Sequence, residues 1–103
     1  MIAAYVTIGR GAGNRRMGAL EWVLFQDDVA TVLKFAGTDP IEVVAHAGSG
    51  EWEGTSEDSF IQGYVYSSDV RAEQLRADLA RLAKLYHQDA IALIMGDSEL
   101  IEP

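Results

Sequence analysis

The run FIQGYVYSSDVRAEQLRADLARLAKLYHQDAIALIM, Phe60 to Met95, decides how this chain folds. Its centre, Val70 to His87, sets Leu75, Leu79, Leu82 and Tyr86 at three-and-four spacing, with Glu73, Arg76, Asp78, Arg81 and Lys84 between them. That is the stripe of an amphipathic helix. Asp69 stands just before it as the expected N-cap, because a carboxylate there accepts from the orphan amides of a first turn. On either side lie short β-rich runs, Phe60 to Tyr66 and Ala90 to Met95, bounded by polar and glycine-containing segments. The unit reads strand, helix, strand.

Upstream the same order recurs. Ile2 to Ile8 alternates Ile2, Ala4, Val6 and Ile8 on one face with Ala3, Tyr5 and Thr7 on the other, the period of a half-buried strand. From about Met17 to Ala36, residues Trp22, Phe25, Val29, Val32, Leu33 and Ala36 line one helical face, and Gly37 stops the helix. Asp39-Pro40 then turns the chain into a strand, Ile41 to Ala47. The pattern predicts Ile41, Val43 and Ala45 facing the core and Glu42, Val44 and His46 facing away. The next segment, Gly48 to Asp58, is glycine-rich and acidic and reads as an exposed connection.

Strand, helix, strand, strand, helix, strand is the split βαβ arrangement. Over about residues 2 to 96 the order resembles the ferredoxin-like plait, which implies one α+β domain, residues 1 to 103, with a four-stranded antiparallel sheet, two helices on one face and a short acidic C-terminal tail. That topology hosts many activities, so function has to be argued from residues.

Composition narrows the classes. A chain of 103 residues with 49% apolar and 23% charged residues has globular composition and room for one core. Zero cysteines exclude disulfides, thiolate metal sites and thiol nucleophiles together. No apolar run approaches the ~20 residues of a bilayer crossing, and the opening residues lack a basic leader, so a cytoplasmic protein with no membrane contact is expected. The net charge of −8 repels phosphate backbones and makes nucleic acid an unfavourable partner. Arginine outnumbers lysine and alanine is abundant, which resembles coding from a GC-rich genome. The chain in this respect is similar to small proteins of actinobacteria and their phages, a resemblance that implies a role in binding a host protein.

Three places carry candidate chemistry. The first is Gly9 to Arg16, where Arg10, Arg15 and Arg16 are interleaved with Gly11 and Gly13 immediately before a helix. Guanidinium groups and free amides there suit an anion, although the spacing matches neither a P-loop nor a dinucleotide fingerprint. The second is the open sheet face, expected to carry Tyr5, Thr7, Glu42, His46, Gln62, Tyr64 and Tyr66. Tyr5 with Gly63-Tyr64-Val65-Tyr66 is partly similar to the aromatic strand motifs of an RNA-recognition domain, but Gln62 stands where a basic residue belongs, and a second copy of the domain fits such a face better. The third is Trp52 in the acidic loop, which either serves as a contact anchor for a partner or folds back over the sheet edge. His46 and His87 are the two histidines, and neither falls into a metal-ligand spacing.

No Ser-His-Asp order and no spaced acid pair is readable, so no catalytic residue, metal or cofactor is assigned. The reading is a small acidic non-enzymatic accessory protein that works by protein–protein contact, as a homodimer and with an unidentified protein. The alternatives are a small plait enzyme or anionic-ligand-binding protein using Gly9 to Arg16, and an acidic mimic of nucleic acid that occupies a host protein's basic groove.

Overall fold

The computed structural model describes residues 1–103, apart from the side chain of Trp52. In chain order the elements are β1 (Ile2–Gly9), β2 (Gly11–Ala12), β3 (Arg15–Arg16), α1 (Ala19–Lys34), β4 (Pro40–Trp52), β5 (Thr55–Tyr66), α2 (Ala72–Leu85) and β6 (Ala92–Asp97). The main sheet is antiparallel with strand order β4-β5-β1-β6, and a second, two-residue ladder joins β2 to β3. This is the ferredoxin-like arrangement expected from the sequence.

The core lies between one sheet face and the two helices. Ala4, Val6 and Ile8 of β1 bury against Phe25, Val29 and Leu33 of α1 and Leu75, Leu79 and Leu82 of α2. Phe25 stacks on Tyr86 with ring centroids 4.4 Å apart, and the Tyr86 hydroxyl donates to the Asp28 carboxylate. No helix is long and apolar enough to cross a membrane among the described residues.

Several expectations need correction. Gly48 to Asp58 is no loop: after a register shift between Pro40 and Glu42, β4 and β5 pair without a break from Glu42↔Val65 to Trp52↔Thr55, turning through Glu53 (φ 49) and Gly54 (φ 81). Two consecutive left-handed residues make the tight hairpin connection that matches strand twist. Gly9 to Arg16 is likewise a miniature hairpin, closed by Met17 N–H donating to the Arg10 carbonyl and turning at Gly13 (φ 67). The N-cap of α2 is Arg71, without a side-chain cap, while the Asp69 carbonyl instead accepts from the Thr38 amide. Val43 and Ala45 do lie on the helix side, opposite Tyr64 and Gln62, yet they are exposed because β4 is an edge strand that the helices leave uncovered.

The largest correction concerns β5. Tyr64 and Tyr66 face the helices and are buried, as is Gln62, so they are absent from the open face and leave no stacking platform for RNA bases. The phase is set at Gly63, which pairs with Tyr5: a Cβ on Gly63 would lie 2.0 Å from the Tyr5 ring. Tyr5 covers position 63 on the open side, and its neighbours at 62 and 64 must point inward. Gln62 tolerates burial because its side-chain amide donates to the Gln26 carbonyl. The Tyr66 hydroxyl donates to the Leu33 carbonyl. The expected role of the Trp52 ring lies outside the described residues.

Candidate functional site

The β4–β5 hairpin is longer than the strand beside it. β1 stops at Gly9, opposite Ser59, so residues 49 to 58 overhang the sheet. The miniature hairpin β2–β3 packs alongside this overhang. It is held by the Arg10 amide donating to the Asp58 carbonyl, the Gln88 side-chain amide donating to the Gly11 carbonyl, and the burial of Ala12 and Met17. Between the two hairpins lie two adjoining clefts, of about 620 and 550 Å³, which share Gly11, Gly13, Ser49, Thr55 and Glu57. Both volumes fall in the range of small-molecule sites.

Glu57 stands where the clefts meet. Its carboxylate accepts from the Gly11 amide at 2.8 Å. A Cβ on Gly9 would lie 2.0 Å from one carboxylate oxygen, and one on Gly11 would lie 2.6 Å from the other. Gly9 and Gly11 therefore admit a carboxylate, and the Gly11 amide expected to greet an outside anion is given to Glu57. The larger share of the negative charge around it comes from Glu51, Glu53 and Asp89 in the 550 Å³ cleft, where His87 and Gln88 also line the wall.

Asp58, the next residue, points to the other face of β5 and gathers the arginines. Arg10 reaches it at 3.2 Å, with its Nε donating to the Met17 carbonyl, and Arg16 donates to the same carboxylate oxygen. The hydrogen bond from Arg16 holds the Asp58 carboxyl below the usual carboxylate range. Arg15 does not join them. Its guanidinium makes a two-pronged contact with Glu21 at 2.8 and 2.9 Å, and that contact lowers the Glu21 pKa. The expected anion-site residues Arg10, Gly11, Gly13, Arg15 and Arg16 thus all line the 620 Å³ cleft, with Arg15 paired to Glu21 of α1 rather than to Asp58.

Of the expected partner-binding residues whose side chains are described, Tyr5 is on the open sheet face, where it is accompanied by Val44, Ile61, Val65 and Ile94, and Tyr64 and Tyr66 are not. Ile94 is 72% exposed and Ile61 38%. Glu57 itself was missed by sequence reasoning. The signal that could have found it is the pair of hairpin turns, Glu53-Gly54 and Gly13-Asn14, which bring the acidic segment beside the glycine segment.

No family model matches the chain, and no curated protein matches it. Solved structures do. It shares its fold with a phage S-adenosylmethionine (SAM) lyase. That lyase, solved in complex with S-methyl-5′-thioadenosine, aligns over 93% of this chain and 80% of its own at 18% identity, with a TM-score of 0.60. The same lyase in its apo state gives 0.55. CutA1 from Pyrococcus horikoshii, in a single-residue variant, aligns over 99% of this chain and 87% of its own at 22% identity, with a TM-score of 0.51. At these identities the likeness is one of fold.

Proposed function

We propose that this protein binds a sulfonium nucleoside of the SAM class in the cleft between its two hairpins and breaks it to S-methyl-5′-thioadenosine. The observation that carries the reading is the Glu57 carboxylate, fixed by the Gly11 amide and seated over Gly9 at the junction of the cleft. A preset carboxylate in an acidic cleft suits a cationic ligand, and the net charge of −8 steers a cation toward it. The fold likeness to a lyase solved with the thioether product supplies the ligand class.

Cleavage breaks the carbon–sulfur bond to the amino-acid chain. Sulfur keeps the bonding pair and becomes a neutral thioether, and the four-carbon fragment closes its electron-poor carbon with its own carboxylate oxygen. Because positive charge on sulfur is lost as the bond breaks, a carboxylate beside it favours the bound substrate more than the transition state. Glu57 accordingly captures and orients the ligand. Incubation with SAM, followed by chromatography for S-methyl-5′-thioadenosine, tests the reading. Product from the wild type, with at least a tenfold loss of SAM affinity in Glu57→Gln, is expected; no product and no binding by calorimetry overturns it.

A second property rests on a different observation. The open sheet face is apolar at Tyr5, Val44, Ile61 and Ile94, and we propose that a second copy of the chain covers it. This keeps the protein-contact role expected from the sequence and moves it from Tyr64 and Tyr66 to their neighbours.

A further inference from the structure

We propose that Arg10 and Arg16 form a carboxylate-binding arm of the cleft, so that the ligand it takes is zwitterionic, a sulfonium that still carries its amino-acid chain. The inference rests on the sulfonium reading above and names which part of such a ligand each arm holds.

The argument starts from the charge balance along β5. Glu57 and Asp58 are consecutive, so their side chains leave the strand on opposite sides, one into the acidic cleft and one toward the miniature hairpin. Asp58 is a single carboxylate shared by two guanidinium groups, which leaves that trio one positive charge in excess. Arg15 adds nothing to this excess, because its charge is matched by Glu21. The guanidinium groups therefore stand in one arm of the cleft, where Glu57 and Asp58 balance them, while the other arm is lined by carboxylates with no lysine or arginine.

Donor geometry points the same way. A guanidinium carries five N–H groups in a rigid fork. Arg10 gives one to the Met17 carbonyl and one to Asp58, and Arg16 gives one to Asp58, so among the described residues both keep donors for a second anion. Asp58 holds both forks through one carboxylate oxygen, and the bond from Arg16 keeps its carboxyl below the usual carboxylate range. The hydroxyls of Ser49 and Ser56 line the same arm and supply neutral donors. Arg16 is 65% exposed, so an incoming carboxylate meets it without displacing a packed side chain. A carboxylate that accepts from two guanidinium groups makes charge-assisted hydrogen bonds, the stronger kind.

The test compares three probes by calorimetry: SAM, decarboxylated SAM, which keeps the sulfonium and the amine, and S-methyl-5′-thioadenosine, which lacks the amino-acid chain. Wild type is expected to bind decarboxylated SAM at least tenfold more weakly than SAM, a readout that needs no variant. Arg16→Gln should weaken SAM at least tenfold and leave the other two within threefold. Arg81→Gln, on the exposed side of α2 and outside the cleft, should leave all three within threefold. Equal wild-type affinity for SAM and decarboxylated SAM, or an Arg16→Gln loss shared by all three probes, overturns the carboxylate arm while the sulfonium reading stands. Failure of the wild type to bind any probe overturns both.

Discussion

Gly9 and Glu57 illustrate how a residue with no side chain determines where a functional one sits. The space a Cβ would need at position 9 is filled by the Glu57 carboxylate, the flexible end of its side chain. Gly9→Ala should therefore fold with a melting temperature within a few degrees of wild type, because the carboxylate can swing away at little cost, and should lose SAM affinity at least as far as Glu57→Gln does. Thermal melting and calorimetry on the same sample check both halves. Unchanged affinity would mean that the seated position of Glu57 is not the one that binds. Gly37 makes the contrast. Its missing Cβ would lie 2.5 Å from the Tyr66 ring, which is buried and hydrogen-bonded and has nowhere to go, so a methyl there strains the core instead.

At the scale of elements, α1 is pinned to the rest of the fold by two tyrosine hydroxyls, Tyr66 to the Leu33 carbonyl and Tyr86 to Asp28. Burial pushes both phenols up from 10.0 to about 12, with the Tyr64 ring adding to the effect at Tyr66 and the Asp28 carboxylate at Tyr86. A folded pKa above the unfolded value means that the neutral form is the one the fold favours. The stability these groups supply is complete below about pH 10 and is lost as pH rises toward 12. Melting followed by circular dichroism from pH 9 to 12 should show this fall, and the double variant Tyr66→Phe, Tyr86→Phe should start about 2 kcal/mol less stable and fall less steeply. Equal slopes would assign the alkaline transition to other groups. The strands and helices were legible because periodicity records which face is buried: α2 was expected at Val70 to His87 and spans Ala72–Leu85. What periodicity left out was geometry decided between elements. The phase of β5 turns on Tyr5 lying over Gly63, a contact between residues 58 positions apart that no local window contains. The hairpin of β4 and β5 was hidden by glycine and acid content that reads as loop, since an overhang without a core face has no reason to alternate. His87 has a similar history. It is the left-handed residue that ends α2, with the Gln88 amide donating to the Ala83 carbonyl and its own amide donating to Lys84, a place usually taken by glycine.

For the molecule as a whole, the face left bare by the helices and the acid field act together. Apolar Ile61 and Ile94 on a sheet with two free edges invite self-association, while a charge of −8 resists it and is screened by salt. Light scattering should therefore give a mass above that of the monomer that rises with ionic strength, and Ile94→Glu should return it to the monomer value. A monomer at high protein concentration and high salt would remove the second copy from the account. If the multimer persists in Ile94→Glu, the edges rather than the face carry the contact.

The place of β1 in the middle of the sheet also sets a timetable. It is made first, yet its partners are β5, which ends at Tyr66, and β6, which begins at Ala92. At roughly 5 to 20 residues per second, synthesis needs about 5 to 20 seconds to pass from one end of this circuit to the other. Until β5 is complete, a strand with four apolar residues on one face, Ile2, Ala4, Val6 and Ile8, has no neighbour, and from then until β6 is made it is paired on one side only. A ribosome that pauses before residue 92 therefore holds the chain with one edge of β1 open to other strands.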